Sequence, residues 1–154
     1  EESTIRVPMH EKRFKKLELA AKEIPMDRQF MLYGPKDADI TLVSWGSIKG
    51  PIHDAMPVLQ EKYGISVNHL HIRMMSPFPT DGVKEILKNA KLVADVELNM
   101  TSQLSQLITM RTGFQIQHHV VKYTGRPISQ CEIVESVQKI VNEKAERVVL
   151  TYGR

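Results

Sequence analysis

The segment from Ala38 to Gly50 constrains the fold more than any other part of the chain. It reads ADITLVSWGSIKG, and residues 40–45 within it are β-prone and almost continuously apolar. The run is too short to span a membrane and too continuous for a strand with one solvated face, so it is typical of a strand buried on both faces of a parallel sheet. Gly46 ends it, and Pro51 suits the first position of a following helix because its φ angle is preset. A strand, a turn and a helix in this order predict an open α/β fold, in which ligands and partners meet the carboxyl ends of the strands.

The composition permits one globular core and argues against several classes of protein. The 154 residues are 42% apolar and carry 21 basic and 18 acidic side chains, for a net charge of +3. Because these charges are interspersed and no aromatic residues alternate with a basic patch, we do not expect a nucleic-acid partner. No apolar stretch approaches the ~20 residues that cross a bilayer, so we expect no membrane span. The single cysteine, Cys131, excludes an intrachain disulfide and a metal site built from cysteines alone, and it favours a reducing, cytoplasmic setting.

Residues 1–38 predict an N-terminal arm ahead of an α/β domain, which we assign to residues 39–154. The first nine residues are polar and predict a loosely held lead-in, and apolar positions at helical spacing predict an amphipathic helix over 10–24. A proline ends that helix, and the prolines and glycine of residues 25–38 predict a connector. The helix packs either on its own domain or on a neighbouring domain or subunit. The chain does not start with methionine, so we expect it to be a piece of something longer.

Helical and strand patterns alternate downstream of the first strand. Strands alternating with helices predict a three-layer αβα fold with a mostly parallel sheet of about five strands. Polar residues mark one face of the second strand and one face of the fourth, so we expect those faces to be only partly covered or solvated. The predicted elements are helices over 52–62, 81–90, 104–111 and 133–141, strands over 65–75, 92–98 and 114–123, and an edge strand at 148–150.

Three helix ends have recognisable capping residues. Gly64 follows the first of these helices and suits a left-handed C-cap. Thr80 is placed to accept a hydrogen bond as the N-cap of the next helix. Ser129 and Glu132 stand three residues apart before an apolar run, which is the spacing of a capping box.

The turn after the first strand is a candidate anion site. Its backbone N–H groups lie at a helix start, and Ser47 and Lys49 add a hydroxyl and a positive charge between Gly46 and Gly50. The turn lacks the spacing of a P-loop and of a dinucleotide-binding fingerprint. The alternative is a tight strand-to-helix turn that needs glycine for its backbone freedom.

Two pairs of histidines raise the possibility of a metal. His69 and His71 lie two apart on one strand, and His118 and His119 are adjacent. Zinc needs three or four ligands that converge, and no helical ligand motif supplies them. We therefore predict no metal site and expect these histidines to be partly exposed or hydrogen-bonded.

Asp95 and Glu97, near the end of the third predicted strand, are the best candidates for acid–base chemistry. No nucleophile or second acid accompanies them at a useful spacing, so capping a helix or pairing across an interface is the alternative. Cys131 follows a helix N-cap, where a thiol pKa falls, but it has no partner thiol and is expected to be structural. The residues alone thus predict no catalytic residues and an α/β module without a self-sufficient active site.

Four motifs together resemble one family. LVSWGSIKGPI at 42–52, HIRMMSPFP at 71–79, ELNMTSQL at 97–104 and YTGRPI at 123–128 resemble the C-terminal domain of the α subunit of 2-oxoacid:ferredoxin oxidoreductases. They occur in the order and at the spacing of that family, and the KRFKKLE segment of the arm resembles the helix that leads into the domain. The resemblance covers about residues 10–142.

This resemblance implies a transketolase C-terminal-domain-like fold. The holoenzyme that it implies decarboxylates a 2-oxoacid on thiamine diphosphate with Mg²⁺, passes electrons through [4Fe–4S] clusters to ferredoxin, and forms an acyl-CoA. Other domains and subunits mainly hold these groups, so the resemblance implies no cofactor on this domain. It implies an assembly element whose partners are the other domains and subunits, with ferredoxin meeting the holoenzyme.

The same resemblance suggests which residues meet those partners. The interface candidates are Arg73, Glu97, Asn99, Gln103 and Arg126.

Three positions depart from the usual pattern of the family. Leu98 stands where a second acidic residue is common, Ser102 replaces a glycine, and His71 stands where arginine is frequent. Because histidine stands in place of the frequent arginine at position 71, Arg73 is left as the favoured interface cation.

Three hypotheses about function follow. The leading one is a non-catalytic assembly domain of a multi-subunit oxidoreductase. The second is a module in which the loop from Gly46 to Gly50 binds an anion such as a phosphate of CoA. The third is a self-contained enzyme that uses Glu97.

Overall fold

The computed structural model describes residues 2–151. Within that range it contains six α-helices and six strands. The helices are α1 (Ser3–Glu23), α2 (Met26–Gln29), α3 (Lys49–Tyr63), α4 (Thr80–Asn89), α5 (Gln103–Thr112) and α6 (Gln130–Glu143). The strands are β1 (Phe30–Tyr33), β2 (Ile40–Trp45), β3 (Val67–Ile72), β4 (Val93–Glu97), β5 (His118–Val121) and β6 (Arg147–Val149).

The strands form one mixed sheet in the order β1-β3-β2-β4-β5-β6. The five strands β2 to β6 are parallel to one another, and β1 pairs antiparallel with β3. The predicted three-layer αβα fold with a mostly parallel sheet is confirmed. The sheet has six strands instead of about five because β1 joins its edge.

Two apolar clusters fill the spaces between the sheet and its helices. On one side, called the α3 face, α3 and α6 pack together over Ile40 and Leu42 of β2. On the other side, called the α5 face, α4 and α5 pack over Val43 of β2. Successive residues of β2 thus enter opposite cores, which confirms a strand buried on both faces.

The N-terminal arm differs from its predicted conformation. Helix α1 begins at Ser3 and includes Pro8, so the expected lead-in is helical. None of the described residues of α1 is buried, and Phe14 is 63% exposed, so the helix does not pack into its own domain. The expected connector over residues 25–38 contains α2 and β1, because the FMLY run pairs residue by residue with β3.

The cap predictions have mixed outcomes. Gly64 adopts a left-handed φ of 66° at the end of α3, and Ser129 and Glu132 form both bonds of a capping box at the start of α6. The Thr80 prediction was wrong, because Thr80 is the first helical residue of α4 and Pro79 precedes it as the N-cap.

The prediction that β3 and β5 each have one partly covered or solvated face was also wrong. All six residues of β3 are buried, because β3 lies between β1 and β2 and receives a helix on each face. Strand β5 starts only at His118, and three of its four residues are buried.

Candidate functional site

The carboxyl ends of β2 and β4 border a cavity at the point where the chain reverses direction across the sheet. The connection after β2 runs along the α3 face and the connection after β4 runs along the α5 face, so a crevice opens between them. This switch-point cavity has a volume of about 300 Å³. Its walls are Trp45, Gly46, Ser47, Ile48, Leu98, Asn99 and Gln103.

The cavity joins two segments that the sequence analysis treated separately. Gly46 and Ser47 of the candidate anion loop lie opposite Asn99 and Gln103 of the interface candidates. Gly46 has a left-handed φ of 65°, which glycine adopts without strain. The prediction of a glycine-dependent turn at the end of β2 is therefore confirmed.

None of the sequence-predicted cations, which are Lys49 of the loop and the interface candidates Arg73 and Arg126, lines this cavity. Gly50 is within α3, and the ammonium group of Lys49 lies 4.6 Å from the centre of the Tyr33 ring, outside the cavity. Arg73 donates hydrogen bonds to the Tyr33 hydroxyl at 2.7 Å and to the backbone oxygen of Asp27 at 2.8 Å. Arg126 is exposed in the turn after β5.

Glu97 is an internal helix cap. It is fully buried, and its Oε1 accepts hydrogen bonds from the backbone N–H groups of Leu104 at 2.9 Å and Ser105 at 3.4 Å. Its Oε2 accepts from the Asn99 amide at 2.7 Å. Burial, together with the nearby Asp95 carboxyl, raises the pKa of Glu97, although the Leu104 and Asn99 hydrogen bonds oppose this shift. Glu97 therefore matches the helix-capping alternative. Its side chain lies in the interior of the domain and not at its surface.

Asn99 extends this cap to the wall of the cavity. Its side-chain oxygen accepts hydrogen bonds from the backbone N–H groups of Thr101 at 3.1 Å and Gln103 at 3.3 Å. The N-cap position itself belongs to Ser102. Asn99 thus contributes its side-chain oxygen to this cap, while Thr101 contributes its backbone N–H.

Ser102 adopts a backbone conformation that favours glycine. Its φ and ψ are 53° and 58°, and its buried hydroxyl has no hydrogen-bond partner among residues 2–151. A left-handed conformation costs a residue other than glycine roughly 1–2 kcal/mol. The structure thus gives a physical reason for the glycine that is usual at this position.

We expect Ser102→Gly to raise the free energy of unfolding by about 1 kcal/mol, because it relieves the left-handed strain at a smaller cost in chain entropy. Urea denaturation measures the change. Ser102→Ala is the matched control, since it removes the hydroxyl and keeps the strain. If the glycine variant were no more stable than the alanine variant, backbone strain would not explain the preference.

Large apolar side chains surround the mouth of the switch-point cavity. Trp45 is 45% exposed and Leu98 is 42% exposed, and both line the cavity. We call these two residues the apolar rim. Exposed apolar groups gathered around a concave site are typical of surfaces that bind a partner.

Of the two histidines of β3, His69 is hydrogen-bonded on the α3 face, whereas the buried Nδ1 of His71 has no hydrogen-bond partner among residues 2–151. His69 is fully buried, with Nε2 2.8 Å from the Ser44 hydroxyl and Nδ1 3.2 Å from Nε2 of His53. Burial, followed by the nearby His71, His53 and Lys49 charges, lowers the pKa of His69 to about 3. The expectation of a hydrogen-bonded histidine is confirmed for His69.

Fold stability is expected to fall as the pH drops from 6.5 towards 3. Over this interval His69 takes up a proton in the unfolded chain but stays neutral in the folded chain, so acid favours unfolding. The free energy of unfolding should change by up to about 1.4 kcal/mol per pH unit. Urea denaturation at several pH values measures this slope, which His69→Gln should flatten. His10→Gln on the exposed helix α1 is the control, and equal slopes in both variants would contradict the assignment.

The remaining candidates for chemistry are separate from the switch-point cavity. Nδ1 of His118 donates to the backbone oxygen of Ala145 at 2.8 Å, and Nδ1 of His119 donates to Asp95. Cys131 is exposed in the first turn of α6. Among residues 2–151, no group of three or more His, Cys, Asp or Glu side chains is arranged to hold a metal ion.

Comparison with protein families gives a match over most of the chain. Residues 38–133 match the model described as pyruvate:ferredoxin oxidoreductase core domain II. The chain is 42% identical to 2-oxoacid:ferredoxin oxidoreductase 1, subunit alpha, of Aeropyrum pernix, with 100% of this chain and 24% of the relative covered. It is 38% identical to the corresponding α subunit of Saccharolobus solfataricus, with 99% and 24% covered. The chain therefore spans about a quarter of the length of these curated relatives.

Solved structures that are similar to the chain include the following two. The α chain of a probable 2-oxoacid ferredoxin oxidoreductase from Thermoplasma acidophilum is 48% identical, with a TM-score of 0.54 over 75% of this chain and 98% of that one. A 2-oxoglutarate:ferredoxin oxidoreductase from Magnetococcus marinus has the same fold over 92% of this chain and 24% of that one, with a TM-score of 0.75 and 24% identity.

Proposed function

The chain belongs to the pyruvate:ferredoxin oxidoreductase core domain II family, and from this premise we propose that it is the C-terminal assembly domain of the α subunit of a 2-oxoacid:ferredoxin oxidoreductase. The activity proposed for the whole enzyme is oxidative decarboxylation of a 2-oxoacid to an acyl-CoA, with electron transfer to ferredoxin. In this proposal the domain holds other parts of the enzyme in place and does not catalyse the reaction alone.

The cofactors of the proposed holoenzyme are thiamine diphosphate, Mg²⁺, [4Fe–4S] clusters and CoA. Iron–sulfur clusters of this type are usually held by four cysteine thiolates, and this chain has one cysteine. The residues of the chain therefore do not fit a cluster of their own. We propose that these cofactors are held by other domains and subunits.

The apolar rim is the observation that carries the assembly role. Trp45 and Leu98 lie in the wall of a cavity at the carboxyl edge of a parallel sheet, and a tryptophan at such a place is a frequent anchor of protein interfaces. Water contact with these side chains is unfavourable, so burying them against another domain or subunit contributes to association.

Helix α1 supports the same role from the other end of the chain. Its apolar residues Ile5, Phe14 and Leu17 are exposed on a helix of 21 residues. Most stability of a helix in a protein comes from packing of its apolar side chains, so this helix is suited to a surface outside its own domain. We propose that residues 1–38 form the arm that reaches this surface, contributing β1 to the sheet, and that residues 39–154 form the α/β domain.

The test is assembly of the complete α subunit with the other subunits of its oxidoreductase. We expect Trp45→Ser with Leu98→Ser to weaken association at least about tenfold, since both changes remove apolar anchors of the proposed interface. Analytical ultracentrifugation measures the association, and ferredoxin reduction by a 2-oxoacid measures turnover.

The matched control for this test is Tyr63→Ser. Tyr63 is 48% exposed at the end of α3, on the opposite edge of the sheet, so its loss should leave association unchanged. Normal assembly of the Trp45→Ser, Leu98→Ser subunit would refute the proposed interface.

A second candidate function is binding of an anion, such as a phosphate of CoA, at the loop from Gly46 to Gly50. The position of Gly46 and Ser47 in the wall of the switch-point cavity favours it, whereas the direction of the Lys49 side chain does not. A titration of CoA into the chain, monitored by amide NMR shifts, tests this second candidate function. Shifts at Gly46 and Ser47 would favour binding, and unchanged shifts would eliminate it.

The proposed setting is the cytoplasm, as the cysteine content suggests. Within residues 2–151, no helix combines the length and the apolar character that crossing a membrane requires.

A further inference from the structure

A second cavity lies on the α5 face, where the sheet extends beyond its helices. It has a volume of about 440 Å³ and lies between α5 and the strands β5 and β6. We call it the His119 cavity. Its polar walls include Ser105, Gln106, Thr109, Gln115, His119 and Arg147, and Met110 and Ile116 add an apolar wall.

Three ionisable side chains cross the sheet in one row at this place. Asp95 of β4 is in register with His119 of β5, and His119 is in register with Arg147 of β6. Residues in register on neighbouring strands project from the same face of a sheet. The row therefore runs from a buried carboxylate, through an imidazole, to a guanidinium group at the edge of the sheet.

The buried carboxylate orients the imidazole towards the cavity. Asp95 is fully buried, and its Oδ1 accepts a hydrogen bond from Nδ1 of His119. This bond commits Nδ1 to the interior and leaves Nε2 as the ring nitrogen available to the cavity. His119 keeps 24% of its side chain exposed, so a small molecule can reach it.

Arg147 supplies a second donor at the same wall. It is exposed, and one of its N–H groups donates to the backbone oxygen of Met100. Among residues 2–151, no carboxylate lies within ion-pair distance of Arg147. Its positive charge is thus uncompensated within the described part of the chain.

Ser102 adds a buried polar group without a partner. It lines the cavity, it is 4% exposed, and its hydroxyl makes no hydrogen bond to residues 2–151. A buried hydroxyl without a partner is costly, and a bound polar group is one way to satisfy it.

We propose that the His119 cavity binds a small oxyanion, with Nε2–H of His119 and the guanidinium group of Arg147 as its donors. The apolar wall of Met110 and Ile116 fits the carbon chain of a short organic carboxylate. An inorganic oxyanion such as phosphate offers the same charge and acceptors without that chain. The inference is independent of the proposed assembly function, because it concerns binding by this chain's own residues.

The pH dependence of binding follows from the groups that face His119. The hydrogen bond that His119 donates to Asp95 raises the pKa of His119 against the opposing effect of burial, Glu97 adds to the increase, and Arg147 opposes it. The α5 residues that line the cavity carry no charge. Because the imidazolium form attracts an anion, affinity should fall as the pH rises through the pKa of His119.

The experiment is a titration of the full 154-residue chain with butyrate and, separately, with inorganic phosphate. Shifts of the His119 imidazole signals in NMR spectra report binding at this cavity, and in the variant without this imidazole the amide signals of Ser105 and Gln106 in the cavity wall report it. Binding of butyrate alone identifies a site for an organic carboxylate. Binding of phosphate alone identifies a site for an inorganic oxyanion. Either result supports the proposal.

Two variants test the assigned donors. Arg147→Gln removes the guanidinium group, and His119→Asn keeps an amide donor for Asp95 while removing Nε2. Each should weaken binding about tenfold, as expected for loss of a charge-assisted hydrogen bond, and His119→Asn should also abolish the pH dependence. Lys139→Gln, an exposed cation on α6, is the control and should leave affinity unchanged.

Two results would overturn the proposal. One is the absence of imidazole shifts with both anions. The other is equal affinity in the control and in both donor variants, with amide spectra showing that all three are folded.

Discussion

Replacing Lys122 by methionine is expected to lower the free energy of unfolding by about 3–4 kcal/mol, which is typical of a buried ion pair that loses one partner. Lys122 is fully buried, and its ammonium group donates to both carboxylate oxygens of Glu132, at 2.7 and 2.9 Å. It also donates to the backbone oxygen of Pro127 at 2.8 Å. Methionine keeps most of the apolar stem, so the loss reports chiefly on the ammonium group.

The loss should extend to the start of α6, because Glu132 also serves the capping box. The Glu132 carboxylate accepts from the Ser129 backbone N–H at 2.8 Å and from its hydroxyl at 2.9 Å. Although partial burial raises the pKa of Glu132, the Lys122 and Ser129 hydrogen bonds outweigh it and lower the pKa overall. Without Lys122, the carboxylate loses its only close cation among the salt bridges of residues 2–151.

Urea denaturation of a double-mutant cycle tests this prediction. Glu132→Gln removes the charge that Lys122 compensates, so the double variant should lose less stability than the sum of the two single variants. Lys139→Met, an exposed position on α6, is the control and should change stability by less than about 0.5 kcal/mol. A Lys122→Met variant as stable as this control would contradict the assigned role of the buried pair.

Features that depend on neighbouring residues were accessible from the sequence. The continuous apolar run at 40–45 identified the central strand, since only burial on both faces accommodates it. The Ser129–Glu132 spacing identified the capping box, and Gly64 identified the end of α3, because each depends on a few consecutive residues. From these local signals, the alternation of strands and helices followed, and with it the three-layer fold.

Features that depend on strand pairing were not accessible. β1 is four residues long and lies among prolines and glycines, so only its pairing with β3 makes it a strand. The Asp95–His119 pair joins residues 24 positions apart, and no local spacing brings them together. The same limit applies to Gly46 and Asn99, which share the switch-point cavity only because β2 and β4 are neighbours in the sheet.

The Glu97→Ala variant is expected to lose about 3 kcal/mol of stability. Alanine leaves the backbone N–H groups of Leu104 and Ser105 without their buried acceptor, and each unsatisfied buried group costs roughly 1–3 kcal/mol. It also creates a cavity in the core between β4 and α5 and frees the Asn99 amide. Hydrogen exchange should therefore accelerate at the Leu104 and Ser105 amides in addition to the loss of global stability.

Glu97→Gln is the matched control that separates hydrogen bonding from charge. Glutamine keeps an acceptor for the two helix N–H groups. Its NH2 group cannot accept the bond from the Asn99 amide, but it can donate to the oxygen of Asp95 that has no partner among residues 2–151. It should therefore cost about 1 kcal/mol or less. Equal losses in the two variants would show that the charge of Glu97, and not its acceptor, holds α5. Glu97 accepts hydrogen bonds both from the first N–H groups of α5 and from the Asn99 amide, so it fixes the wall of the switch-point cavity. Glu97→Ala should therefore weaken subunit association more than Glu97→Gln, which loses only the Asn99 contact.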